Sequence, residues 1–191
     1  MDLMEALMPL ALLPYIDEHE TVIEAAADDV WRGLSETLDR SFAGPGATAC
    51  ARLVGATDRT PSGPRPLTED ATLPGFRVTT ATPPHELALS GRHRFSTYTL
   101  TFRLDELSPT RSRLRAESRA AFPGPAGGAY RRLVITTGGH ALGMRRLLRA
   151  IRHCSEQPPA ANGPGPPGKR PSRTRFGCPY NLSALPEVWN G

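Results

Sequence analysis

Between residues 75 and 122 apolar and polar side chains alternate almost without interruption, and this pattern constrains the fold more than any other feature of the chain. Phe76, Val78 and Thr80 share one side of a first run. In a second, Leu87, Leu89, Gly91, His93 and Phe95 oppose Glu86, Ala88, Ser90, Arg92 and Arg94. In a third, Tyr98, Leu100, Phe102 and Leu104 oppose Thr97, Thr99, Thr101 and Arg103. In a fourth, Leu114, Ala116, Ser118, Ala120 and Phe122 oppose Arg113, Arg115, Glu117 and Arg119. A period of two is that of a β-strand with one dry face. The connections at Pro83-Pro84, Phe95-Ser96 and residues 107–110 are short enough for hairpins, so the runs predict an antiparallel sheet covered on a single side.

The cover is predicted over residues 127–152. Tyr130, Leu133, Val134, Thr137, Ala141, Met144, Leu148 and Ile151 recur at steps of three and four, with Arg131, Arg132, Arg145, Arg146, Arg149 and Arg152 on the other side. That is an amphipathic helix whose apolar stripe can lie on the dry face of the sheet. Gly138, Gly139 and Gly143 fall inside it, each costing about 1 kcal/mol relative to alanine. Ahead of the sheet, His19, Thr21 and Ile23 alternate with Glu20, Val22 and Glu24 as in a strand. Residues 26–38 read as a helix with Asp28 or Asp29 at its start and Val30, Trp31, Leu34 and Leu38 on its apolar side. Residues 48–54 carry a weak strand pattern. Residues 55–72, rich in Pro, Gly, Thr, Asp and Arg, read as a long loop, either functional or a tolerated insertion.

The expected organisation is a leader over residues 1–16, one folded domain over 17–154 and a Pro/Gly-rich tail over 155–191, whose composition cannot support a core. Tyr180, Leu182, Leu185, Val188 and Trp189 could dock from the tail. The leader is too short to span a bilayer, carries Asp2 and Glu5, and is broken by Pro9 and Pro14, so it is not read as a secretory signal. Of the 23 basic residues only Lys169 is lysine, and the formal charge is +4. The arginines are interspersed with acids and not clustered among aromatics, which does not fit a nucleic-acid surface. Cys50, Cys154 and Cys178 have no C-x-x-C spacing, and the five histidines share no metal-ligand spacing, which argues against a disulfide framework and a zinc site. A reducing cytoplasm fits these features. Neither a cofactor nor a metal is expected.

The run His19-Glu20-Thr21-Val22-Ile23-Glu24-Ala25 followed by Asp28-Asp29-Val30-Trp31, with Gly91-Arg92-His93-Arg94-Phe95, the strand end Ala121-Phe122-Pro123-Gly124 and the glycine-bearing last helix, resembles the START-like or SRPBCC superfamily. Ala26 and Ala27 stand where that pattern often has proline. The resemblance covers residues 17–152. It implies an α+β helix-grip fold, in which a curved antiparallel sheet packs around a long C-terminal helix and two short helices follow the first strand. It also implies a cavity between sheet and helix for a lipid, sterol, polyketide or other apolar molecule.

Within that frame His93 and Tyr98 are the candidates for acid/base chemistry, since a buried imidazole beside a phenol can polarise a carbonyl or move a proton. Thr80, Ser118 and Thr137 could orient a ligand or bond their own backbone. Leu89, Gly91, Leu100, Phe102, Tyr130, Val134, Gly138 and Ala141 complete the expected lining, and His140 borders it. No G-x-S-x-G, H-E-x-x-H, phosphate loop or dinucleotide fingerprint is present. Three functions stay open: a binding protein for an apolar or amphipathic small molecule, a polyketide cyclase or dehydratase-like enzyme, and an interaction module using the tail or the arginine side of the last helix.

Overall fold

Backbone pairing in the computed structural model, which describes residues 13–42 and 44–157, joins six antiparallel strands into one open sheet of order β1-β6-β5-β4-β3-β2. The strands are β1 (Tyr15–Ile23), β2 (Thr72–Leu73), β3 (Phe76–Thr82), β4 (Glu86–His93), β5 (Ser96–Ser108) and β6 (Arg111–Ala121). The first and last long strands meet at one side, so the hairpins β3-β4-β5-β6 are closed off by β1. Two helices follow β1, α1 (Ala27–Phe42) and α2 (Pro45–Leu53). The chain ends, within the described residues, in α3 (Gly124–Arg131), a π-helical turn (Arg132–Thr136) and α4 (Gly139–Ser155). The expected leader up to residue 12 and the tail beyond residue 157, with its docking segment, lie outside the described residues.

The alternation predicts the faces correctly in β4, β5 and β6. Leu87, Leu89, Phe102, Leu104, Leu114 and Ala116 are buried and pack with Val30, Trp31, Leu34 and Leu38 of α1 and Met144, Leu147, Leu148 and Ile151 of α4. Fully burying aliphatic side chains of this size contributes about 1.5–3 kcal/mol each, which makes this layer the main source of stability. On the opposite face several arginines are matched by acids of the same or a neighbouring strand. Arg103 bridges Glu86 at 3.2 Å and Glu117 at 2.8 Å, Arg115 pairs with Asp105 at 2.9 Å, and Arg119 pairs with Glu117. Burial alone would raise Glu117, but the hydrogen bonds from Arg103 and Arg119 outweigh it and hold this carboxyl below its ordinary range. Arg103, Arg115 and Arg119 are thus neutralised within a solvated face, while Arg92 on β4 and Arg113 on β6 form no ion pair among the described residues.

Three expectations are corrected. Residues 48–54 belong to helix α2 and not to a strand, because Pro45 supplies a favourable helix start and Ala47, Ala49 and Ala51 favour its continuation. A bulge between Val78 and Thr80 moves Thr80 opposite Ala88 on the outer face, while Ala81, opposite Leu87, takes the inward position. The long loop is a loop as expected, and it is packed down: Leu67 and Ala71 are in the core, and Gly75 donates to the Asp58 carbonyl at 2.7 Å. The expectation of unpaired thiols holds for Cys50 but not for Cys154, which is disulfide-bonded.

The last helix departs most from its pattern. Gly138 has φ 76°, a left-handed conformation that glycine adopts at little cost, and the π turn just before it shifts the helical phase. The stripe from Met144 to Ile151 stays buried, but Leu133, placed on the same stripe by periodicity, is 53% exposed. What periodicity reads as one helix is two, set at different phases over the sheet.

Candidate functional site

Where β4 ends and β5 begins, the inner face of the sheet changes character from aliphatic to aromatic. The His93 ring lies 5.4 Å from that of Tyr98 and 5.0 Å from that of Tyr130, which descends from α3. Tyr130 stacks on Phe95 at 5.4 Å and lies 6.3 Å from Phe122, while Phe76 meets Tyr98 at 5.2 Å and Phe42 at 5.1 Å. Seven rings from α1, β3, β4, β5, α3 and the adjoining turns thus converge. His93, Tyr98 and Tyr130 remain half-buried, whereas Leu87 and Leu89 on the same strand as His93 are fully buried.

Local geometry fixes what each polar group can do. Tyr98 stands opposite Gly91, and a Cβ there would overlap both its ring and the Gly75 carbonyl oxygen. Glycine at 91 therefore lets the ring lie flat across β4, and the Tyr98 hydroxyl donates to that carbonyl at 2.6 Å. Gly91 is not spare volume, since Tyr98 occupies the space. Burial, reinforced by Tyr130, Cys50 and Asp58, pushes the Tyr98 phenol far above the ordinary tyrosine range, so it stays protonated. Burial, with a contribution from Cys50, raises Tyr130 to about 12. Neither phenol exchanges its proton near neutral pH.

His93 differs. Its Nδ1 accepts from the Phe95 backbone N–H at 3.2 Å, which places the imidazole proton on Nε2. Burial lowers its pKa from 6.5, so the ring is neutral at pH 7. A neutral imidazole with a defined Nε2 donor can hydrogen-bond a carbonyl or hydroxyl without placing a charge among aromatic rings. The free thiol of Cys50, on α2, borders the same space electrostatically, and burial raises its pKa as well.

The remaining predicted residues divide into three groups. Leu89, Leu100 and Phe102 lie on the inner face but inside the packed aliphatic core. Val134 and Ala141 are half-buried, while Thr137 and Gly138 are exposed at the helix break, where the Thr137 hydroxyl donates to the Leu133 carbonyl at 2.6 Å. Ser118 is buried, and its Oγ lies 3.1 Å from His140 Nε2, which is also 3.2 Å from Asp17 Oδ1. The other Asp17 oxygen is 3.2 Å from His19 Nε2. This cluster ties the start of α4 to β1 and β6. One ring nitrogen of His140 faces both Asp17 and Ser118, so the group does not form an acid-imidazole-hydroxyl relay, which needs both nitrogens. Among the described residues no group of three or more His, Cys, Asp or Glu is arranged to hold a metal ion. Beside the cluster His19, Glu20, Thr21, Arg145, Leu148 and Arg149 line a groove of about 210 Å³.

Sequence reasoning missed Phe42 and Cys50, whose positions follow from the course of α1 and α2. It also missed Asp17, although the period of two places this carboxylate on the inner face with His19, Thr21 and Ile23.

An open antiparallel sheet ordered β1-β6-β5-β4-β3-β2, two helices inserted after β1, and a C-terminal helical segment on its inner face decide the architecture. The fold is a helix grip. No family model matches the sequence, and no curated protein matches it significantly. Among solved structures the helix-grip chain is similar to CalU16 from Micromonospora echinospora, with 17% identity, 75% of this chain and 76% of that one covered, and a TM-score of 0.48. It is similar to a truncated norcoclaurine synthase from Thalictrum flavum at 14% identity, 77% and 98% coverage and a TM-score of 0.48. It is also similar to a protein from Arthrobacter aurescens at 17% identity, 74% and 86% coverage and a TM-score of 0.48. The helix-grip assignment rests on the strand order and helix placement.

Proposed function

We propose that the protein binds a small apolar or amphipathic molecule at the aromatic end of the sheet, between β4-β5 and the α2-α3 side. The observation that carries this reading is the contrast along one face: the aliphatic end is packed solid, and the aromatic end keeps His93, Tyr98 and Tyr130 half-buried. Apolar walls with a few placed polar groups are the usual make-up of a small-molecule site. The rings supply stacking and area, while His93 Nε2 and the phenol oxygens supply orientation. Titration of the ¹⁵N-labelled full chain with a fatty acid, a sterol and a planar polyphenol should give saturable shifts at Gly91, His93, Tyr98 and Tyr130 for at least one class. Shifts confined to the outer sheet face, or none with any class, would defeat the reading.

A second reading, a cyclase-like or dehydratase-like enzyme, is favoured by the single proton on His93 Nε2. In that case His93 polarises a ligand carbonyl, while Tyr98, whose proton is committed to Gly75, positions the ring wall. Conversion of a bound polyketide-like substrate should then be lost in His93→Ala with binding retained. Unchanged turnover would remove His93 from the chemistry.

A further inference from the structure

Six arginines and no aspartate or glutamate occur from residue 124 to residue 155. Arg152 is paired with Glu156 at 2.9 Å. The ion pairs among the described residues otherwise lie elsewhere, leaving Arg131, Arg132, Arg145, Arg146 and Arg149 without a carboxylate partner there. On α4 the spacing of Leu142, Arg145, Arg146 and Arg149 is i, i+3, i+4, i+7, so they form one stripe opposite the buried Met144, Leu147, Leu148 and Ile151. Leu142 is 45% exposed within that stripe, and Leu133 is 53% exposed beside Arg131 and Arg132 on the segment before it.

We propose that this face docks reversibly on an anionic lipid surface. Guanidinium groups held in no ion pair attract an anionic surface, even with Glu20 lining the same groove as Arg145 and Arg149, and each basic side chain held near such a surface strengthens binding about fivefold. The two leucines decide between possible anionic partners. Against a hydrated nucleic-acid backbone an exposed leucine gains nothing, whereas at a bilayer it enters the headgroup and acyl boundary. A protein interface concentrates apolar side chains at its centre and moves charge to its rim, whereas here three arginines fill the stripe and Leu142 lies at its N-terminal end. The proposed association is peripheral, and no helix among the described residues is long and apolar enough to cross a membrane. This inference does not depend on the ligand reading, because none of these side chains belongs to the aromatic cluster.

The test is sedimentation of the full chain with phosphatidylcholine vesicles and with phosphatidylcholine-phosphatidylserine vesicles at about three to one, a composition with the negative surface potential the proposal requires. The wild type should bind the anionic vesicles and not the neutral ones, and binding should fall as salt is raised. The triple variant Arg145→Gln, Arg146→Gln, Arg149→Gln should lose about a hundredfold in affinity, three factors of about fivefold. Leu133→Ser with Leu142→Ser should weaken binding several-fold with the charge intact. A circular dichroism melt matching wild type shows that the variants are folded, and the exposure of Leu133, Leu142, Arg145 and Arg149, with Arg146 half-buried, favours that outcome. Equal binding to both vesicles, no binding to either, or indifference to the triple substitution would overturn the proposal. So would capture of the chain by heparin or by an acidic protein in the absence of vesicle binding.

Discussion

At Leu87, Leu89, Phe102 and Leu114 the inner face of the sheet is sealed by α1 and α4, whereas at Gly91, His93 and Tyr98, further along the same strands, it carries rings that stay half-buried. The backbone ladder is continuous through both ends, so the difference lies in what covers them. The aliphatic end meets the in-phase stripe of α4. The aromatic end meets α3, which the π turn and Gly138 set at a different phase. Burial concentrates stability at one end, and the proposed ligand would exchange contacts at the other.

The sharpest way to break this comparison is to truncate one large side chain at each end. Phe102→Ala should cost about 3–5 kcal/mol in denaturant unfolding, the usual loss for a buried phenylalanine. Tyr130→Ala should cost less than about 2 kcal/mol, since a half-buried ring leaves no sealed cavity, yet it should weaken ligand binding at least about tenfold. Comparable unfolding losses would mean that the aromatic end is ordinary core. Gly91→Ala should rank next, at about 1–3 kcal/mol, because the added Cβ must displace the Tyr98 ring or the Gly75 turn. An unchanged melting curve and unchanged Tyr98 ring resonances would contradict the fit described between these residues.

Acid should act through His93. Its folded pKa lies below the unfolded value of 6.5, so the unfolded chain binds the extra proton first and stability rises with pH through this window. The contribution is present above about pH 6.5 and is lost as pH falls from there toward the depressed folded pKa. Comparing wild type with His93→Gln isolates it: the stability gap between them should shift in favour of the variant on going from pH 7 to pH 5. A constant gap would mean that the ring is not desolvated. The smallest effect belongs to the outer face, where Arg103→Ala should cost under about 1 kcal/mol because the Arg103 side chain is 42% exposed and its ion pairs are screened by solvent. It should leave ligand binding unchanged in a titration.

The legibility of these regions in the sequence follows the same physics. The period of two in β4, β5 and β6 survives because each strand has one dry and one wet face, and it located His93 and Tyr98 on the correct side. It failed at Thr80, where one extra residue in a bulge reverses every later side chain in the strand and leaves no mark in composition. The 3.6-residue period found the C-terminal helix but ran through Gly138, because a π turn and a left-handed glycine change phase without disturbing the apolar count. The resemblance to the START-like pattern supplied the two helices after β1, one of which local propensity had read as a strand. The convergence of Phe42, Cys50, Phe76 and Phe122 around His93 depends on long-range placement, which no window of sequence contains.

The central claim is that a ligand occupies the aromatic end. Native mass spectrometry of the full chain, incubated in turn with a fatty acid, a sterol and a planar polyphenol, tests it most directly when wild type, Tyr130→Ala and Arg103→Ala are compared. The account predicts a one-to-one adduct with at least one class, lost or strongly weakened in Tyr130→Ala and retained in Arg103→Ala. No adduct with any class, or an adduct indifferent to Tyr130, would contradict it.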